Sequence, residues 1–287
     1  MENLRKDESQ MTVVNTRKAA YELFSLLKEL LSDRKIYCLS TNLTPKDRKN
    51  RIKEISNMLN NDSCILVSTQ LIEAGVDLSF DKVDRDFAPL DSIIQSAGRC
   101  NRHNMRESGK VTIWHFADAK GRSYANMVYR DPILLGVTKE VLEKRKSFNE
   151  SYFFDLGNHY FKLMYERSEA QQIDKLLLEG EFQQLEKEFL LIDNKWFQQS
   201  YFVIQDAKDQ RIWDWFKALD DIECPMARRR EFLKQRAELY ERVIQVPLRS
   251  EERPDNSIVA LYSEEKRYNT ETGYIIEHSG ESSIAIF

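Results

Sequence analysis

The chain has 287 residues, 41% of them hydrophobic and 11% aromatic, and a net charge of −4. This composition excludes a disordered or fibrous polymer, and no run of about 18 apolar residues is present to cross a bilayer. The polar opening Met1-Glu2-Asn3-Leu4-Arg5-Lys6-Asp7 is unlike a secretory leader, so a cytoplasmic protein with no membrane partner is expected, and the length favours two domains. Cys38, Cys64, Cys100 and Cys224 lie far apart with no C-x-x-C pair, which indicates neither a zinc site nor a disulfide framework. The acidity is C-terminal: residues 1–110 carry 18 basic against 16 acidic side chains, and the rest carry 25 against 31.

In chain order, Met11–Val14 reads as a strand, and Thr16–Leu31 places Ala19, Ala20, Leu23, Phe24, Leu27, Leu30 and Leu31 at helical spacing. Ile36–Leu39 is the next strand. Thr44-Pro45 is a hydroxyl cap followed by proline at the first helical position, a helix start that leads through Ile52 and Ile55. Lys46, Arg48, Lys49, Arg51 and Lys53 on that helix suit a phosphate backbone, and equally a solvated face. Cys64–Val67 is a fully apolar strand, followed by the strand Lys82–Phe87, a helix from Leu90 and the strand Val111–Phe116. Such alternation predicts a parallel α/β sheet with helices on both faces.

Beyond about residue 118 the pattern turns helical, with Ile133–Lys144, Tyr152–Arg167 and Ile173–Phe189 as helices. A short strand, Tyr201–Ile204, precedes an aromatic helix around Trp213, Trp215 and Phe216 and a charged helix, Arg228–Val243. Ile258–Tyr262 and Tyr274–Glu277 read as strands, with a turn at Asn269–Gly273. The expected divisions are therefore residues 1–120, an α/β domain; 121–190, a helical linker; and 191–287, a small α/β C-terminal domain.

Residues just after parallel strands share one edge of the sheet. Asn15-Thr16, Ser40-Thr41-Asn42 and Ser68-Thr69-Gln70 all hold such positions. Three strand ends carrying hydroxyls and amides, two of them beside helix N-termini, make a phosphate-binding rim. On the helix from Leu90, Gln95, Arg99 and Arg102 stand at i, i+4 and i+7 and share a face, and Gly98 permits a close approach. Two guanidiniums there suit phosphate, because each donates to two oxygens at once.

Ser68–Asp77 resembles motif V, and Gln95–Arg102 motif VI, of superfamily 2 helicases. Asp86-Phe87-Ala88-Pro89-Leu90-Asp91-Ser92-Ile93-Ile94-Gln95 before Gly98-Arg99-Cys100-Asn101-Arg102-His103 is closer still to the CRISPR-associated helicase-nuclease of type I interference systems. Leu39–Arg48 is similar to the motif IV region, and Val13–Thr16 to the strand that opens the second RecA-like domain. The specific match covers about residues 11–117, and the C-terminal part is far less distinctive. The resemblance implies a RecA-like fold in which Arg99 and Arg102 are arginine fingers on the γ-phosphate of ATP. It implies that Gly75 and Asp77 lie at the nucleotide end of motif V, and that Gln95 contacts nucleotide or bridges to motif V. Thr16, Ser40, Thr41, Ser68 and Thr69 would touch the backbone of a tracked single-stranded DNA. Ser96 stands where such helicases often have arginine.

No G-x-x-x-x-G-K-[ST] loop, no acidic Asp-Glu-x-His box and no His-Asp nuclease cluster occurs in the sequence. ATP and Mg would therefore be shared with a first RecA-like domain outside this chain, and the isolated chain is expected neither to hydrolyse ATP nor to cut DNA. The expectation is the C-terminal half of an ATP-dependent helicase, a fragment or a split subunit. Its partners would be the N-terminal motor domain, an HD-type nuclease and the CRISPR effector complex. Two other readings stay open: half of another superfamily 2 DNA or RNA helicase, and a non-catalytic nucleic-acid-binding scaffold.

Overall fold

The computed structural model describes residues 8–73, 75–143, 147–168, 170–188, 198–248, 257–262, 267–275 and 285–286. Its first part alternates strand and helix: β1 (Gln10–Val13), α1 (Arg17–Leu30), β2 (Ile36–Leu39), α2 (Pro45–Asn61), β3 (Ile65–Ser68), β4 (Lys82–Asp86), α3 (Leu90–Ala97) and β5 (Lys110–Trp114). These five strands form one sheet in the order β2-β3-β1-β4-β5, every pairing parallel. β2 and β3 read as near-continuous apolar runs because both faces are covered, whereas β4 is the charged run Lys82-Val83-Asp84-Arg85-Asp86. Successive residues serve opposite faces: Val13, Leu39 and Leu66 pack with Ile55 of α2, while Val14, Cys38 and Val67 pack with Ala19, Leu23 and Phe24 of α1.

The helix starts follow from local chemistry. Thr16 Oγ1 accepts from the Ala19 amide at 3.0 Å and Thr44 Oγ1 from the Asp47 amide at 3.1 Å, each satisfying a free donor of the first turn. Pro45 opens α2, where its missing N–H is not needed.

Two boundaries in this part of the chain depart from the sequence expectation, and later the helix expected over Arg228–Val243 ends at Tyr240, with Val243 opening a strand. The helix from Leu90 stops at Ala97, with Gly98 as its C-cap. Arg99 and Arg102 therefore lie past its end rather than on its face. The chain turns there because Phe80, just ahead of β4, takes over the backbone: its N–H donates to Arg99 O at 2.9 Å, and its carbonyl accepts from Asn101 N at 2.7 Å. The strand expected over Val111–Phe116 is also interrupted at His115, giving β5 and a separate β6 (Phe116–Ala117).

There follow α4 (Tyr124–Val128), α5 (Pro132–Leu142), α6 (Phe153–Arg167), α7 (Ala170–Glu179) and α8 (Phe182–Glu188). The single helix expected over Ile173–Phe189 is two, because Gly180 adopts φ +73°, the left-handed conformation that ends a helix. Leu90 of α3 packs with Val137 and Val141 of α5 and Tyr160 of α6. The last part holds β7 (Gln198–Ile204), α9 (Ala207–Ala218), α10 (Pro225–Tyr240), β8 (Val243–Pro247) and β9 (Val259–Tyr262), with strand order β8-β7-β9. β10 (Tyr268–Asn269) and β11 (Gly273–Tyr274) form a small antiparallel hairpin, and β12 (Ala285–Ile286) pairs with β6. Trp213, Trp215 and Phe216 pack around Phe202 and Ile212. Ala74, Lys144, Phe189, Ile276 and Glu277, named in the sequence expectations, lie outside the described residues.

Leu66 sits in β3 between two neighbours and is wholly buried. Leu66→Ala is expected to cost about 2–5 kcal/mol through lost transfer energy and a residual cavity. Urea denaturation would register this as a lower midpoint with an unchanged slope.

Candidate nucleotide wall and nucleic-acid rim

The expected strand-end residues share one edge of the sheet. Leu39 of β2, Ser68 of β3 and Val13 of β1 are in register. The residues that follow therefore emerge side by side. Most of their polar groups are already in use. Ser68 Oγ donates to Leu39 O at 3.0 Å and to Thr69 O at 2.9 Å, Ser40 Oγ accepts from Asn42 N at 3.2 Å, and Thr16 caps α1. Ser40, Ser68 and Thr69 are buried, whereas Thr41 is exposed.

Behind this rim lies a buried polar cluster that the sequence reading did not single out. Asn15 Nδ2 donates to Asp86 Oδ2 at 2.7 Å and to Phe87 O at 2.8 Å, and its Oδ1 accepts from Arg85 Nη1 at 2.7 Å. Arg85 is completely buried, and its Nη2 reaches Glu73 at 3.1 Å and Ser92 Oγ at 2.8 Å. Glu73 Oε1 also accepts from Ser92 Oγ at 2.8 Å and Ser96 Oγ at 3.2 Å. One carboxylate thus ties the segment after β3 to β4 and to two turns of α3. Ser96, where arginine is common in such helicases, is small enough to sit buried against Glu73. The available sequence signal was Lys82-Val83-Asp84-Arg85-Asp86: four charges in five residues of a buried strand demand partners.

Burial pushes the Asp86 carboxyl up to about 6, against the hydrogen bond from the Phe116 amide and the nearby Arg85 charge, which pull the other way.

From Glu73 the chain runs beside α3 to the opposite edge of the sheet. Arg99 follows it: its Nε donates to Ile72 O at 3.2 Å and its Nη2 to Glu73 O at 2.7 Å, leaving the side chain largely buried. Nη1 of Arg99 makes no hydrogen bond among the described residues. Gly75 has φ +73°, so any other residue would be strained there, although a Cβ would meet no atom within 4 Å. Arg102 Nε pairs with Asp77 at 3.0 Å; their side chains are 42% and 72% exposed, and His103 lies 3.9 Å from the same carboxylate. Gln95 is exposed, and its side chain makes no hydrogen bond among the described residues. Gly75, Asp77, Arg99 and Arg102 are therefore brought together around one segment, and Gln95 stands apart from them.

Two guanidiniums are thus set along one segment, Arg99 anchored to its carbonyls and Arg102 in an exposed ion pair. An exposed ion pair contributes only about 0–1 kcal/mol, so Arg102 can leave Asp77 at little cost. No group of three or more potential metal-ligating His, Cys, Asp or Glu residues occurs among the described residues.

A five-stranded parallel sheet, helices on both faces and motif V tied to motif VI define a RecA-like domain of the superfamily 2 helicase type. Residues 6–105 match the family model described as the C-terminal part of CRISPR-associated nuclease/helicase Cas3. A Haloferax volcanii protein named CRISPR-associated nuclease/helicase Cas3 is 50% identical over 84 residues, 28% of this chain and 9% of that protein. A Methanothermobacter thermautotrophicus protein of the same name is 31% identical over 141 residues, 48% of this chain and 16% of that protein. The crystal structure of T. fusca Cas3 with ATP superimposes with a TM-score of 0.56 at 16% identity, covering 90% of this chain and 36% of that one. A chain of a CRISPR RNA-guided surveillance complex in a pre-nicking state gives 0.51 at 15% identity, covering 85% and 34%. Over residues 6–105 the chain is similar to the C-terminal part of that helicase-nuclease family, and it spans only a minor part of the length of those relatives.

Two measurements check this cluster. Glu73→Ala strands the Arg85 charge in the interior and is expected to destabilise the fold by about 3–5 kcal/mol, whereas the paired change Glu73→Leu with Arg85→Met recovers much of the loss. Because the folded-state pKa of Asp86 is raised from 3.8 to about 6, its contribution to stability is greatest below pH 4 and is lost as pH rises through 6. Asp86→Asn is expected to flatten that part of a stability-versus-pH profile.

Proposed function

We propose that this chain supplies the second motor domain and accessory C-terminal region of an ATP-dependent helicase of CRISPR interference that tracks single-stranded DNA. The observation that carries the reading is the Arg99 and Arg102 pair beside motif V, with Arg102 exposed and its partner exchangeable. Divisions near residues 120 and 190 separate the RecA-like sheet, the helices α4–α8 and the β8-β7-β9 sheet. The proposed partners are a first RecA-like domain, an HD-type nuclease and the CRISPR effector complex, in the cytoplasm. No helix among the described residues is long and apolar enough to cross a membrane.

In this reading ATP, bound with Mg chiefly by the first motor domain, supplies the phosphoryl group whose hydrolysis drives closure and opening of the cleft. Arg102 turns from Asp77 toward the γ-phosphate side and neutralises charge there. Arg99 keeps the Ile72 and Glu73 carbonyls with Nε and Nη2 and offers Nη1. Gly75 lets the backbone turn between Glu73 and Asp77, and Gln95 faces the first motor domain from α3. At the other edge, exposed Thr41 and backbone groups of the rim meet the sugar-phosphate chain. Ser40, Ser68, Thr69 and Thr16 shape that edge from beneath. Such contacts carry little base preference and weaken with salt.

Joining the chain to its first motor domain and measuring DNA-stimulated ATPase tests this. Arg99→Ala with Arg102→Ala is expected to lower turnover by about 10³-fold or more, the usual worth of an arginine finger. Near-full activity in that double variant would overturn the assignment.

A further inference from the structure

The loop between β2 and α2, residues 40–44, carries the exposed Thr41 of the rim, yet it is held mainly from the far C-terminal end of the chain. Gly273 of the β10–β11 hairpin lies against Asn42 with φ +83°, and a Cβ there would overlap the Asn42 carbonyl and the Leu43 amide. The Tyr274 N–H donates to Asn42 O at 2.9 Å. The Tyr268 hydroxyl accepts from Thr44 N at 2.9 Å and donates to the Asp47 carboxylate, joining the loop to the first turn of α2. Arg51 of α2 donates to Thr270 O at 2.6 Å and Glu271 O at 3.2 Å. The hairpin is itself braced: Asn269 Oδ1 accepts from the Glu271 and Thr272 amides and the Thr272 hydroxyl, and Tyr274 stacks on Tyr201 of β7 at 6.1 Å.

A second tie runs beside it. Lys46 Nζ lies 2.9 Å from the fully buried Asp209 of α9 and 3.1 Å from Asp206, and its amide donates to Glu241 O at 2.8 Å. Burial works against the Lys46 ammonium, but hydrogen bonds to Asp209 and Asp206 outweigh it and hold its pKa above the usual lysine value. Asp209 also accepts from Arg242, and Gln205 donates to Asp47 at 2.8 Å.

We infer that the β10–β11 hairpin is a positioning element for the strand-facing loop 40–44, with Gly273 and Tyr268 as its positioning residues. The inference rests on the reading of the rim as a nucleic-acid contact. The physical argument is one of fit. The loop has only two internal tethers among the described residues, Asn42 N to Ser40 Oγ and Leu43 N to Ser40 O, both 3.2 Å long. The hairpin satisfies the Asn42 carbonyl and the Thr44 amide that the loop leaves open, and glycine alone permits the approach.

The test uses the full chain with Gly273→Ala and, separately, Tyr268→Phe, which removes one hydroxyl and little volume. Hydrogen exchange at the amides of residues 42–44 is expected to quicken by about fivefold to tenfold, the factor for about one lost hydrogen bond, with amides of β1 and β3 unchanged. Affinity for a fluorescent oligothymidylate is expected to fall by a similar factor. Unchanged exchange in both variants overturns the inference, as does faster exchange with unchanged affinity. If the unsubstituted chain does not bind the oligothymidylate at all, the rim reading itself fails, and the exchange result then separates that failure from failure of the clamp.

Discussion

The Glu73 carboxylate, buried against Arg85 and two serine hydroxyls, is the interaction on which the rest of the site depends. A paired charge in the interior is costly to bury and far costlier to break, so its presence constrains the three elements that meet there more than it stabilises them. Arg85 comes from β4, Ser92 and Ser96 from α3, and Glu73 from the segment after β3. With those three in register, the Ile72 and Glu73 carbonyls are presented to Arg99, and the chain beyond can turn at Gly75 toward Arg102. Asn15 extends the same cluster to the rim through Arg85 and Asp86.

Much of the sheet was legible in the sequence, for a physical reason. Doubly covered parallel strands are mostly apolar on both sides, so Ile36–Leu39 and Cys64–Val67 stand out, and Thr16 and Thr44-Pro45 mark helix starts by their cap chemistry. The end of α3 was not legible. The spacing of Gln95, Arg99 and Arg102 suits a continuing helix, and only the pairing of Phe80 with Cys100, distant in sequence, shows that the chain has left it. Likewise Gly180 reads as one weak position in a long helical pattern until its left-handed conformation splits α7 from α8.

The site was legible in part. Residue types at strand ends indicate where a rim must be, because topology alone delivers them to one edge. They do not indicate which hydroxyls remain available. Ser40 and Ser68 turn inward to satisfy local backbone groups, a competition that short polar side chains win readily next to free amides and carbonyls. The Glu73–Arg85 pair was hidden for the opposite reason: its members are 12 residues apart and on different elements. The turn at Asn269–Gly273 was legible, but its docking on the loop at Asn42 was not, since Gly273 and Asn42 meet across more than two hundred residues.

Arg102 lies beyond Phe80, while Ser40 and Thr69 lie past the other ends of the strands, which sets a distance between the two surfaces. Four-residue strands span about 13 Å, so the arginine end and the rim end are separated by the depth of the sheet. Glu73 is held to Arg85 and α3, and Asp77 to Arg102 at the arginine end. Anything bound at one end therefore lies about one strand length from anything bound at the other.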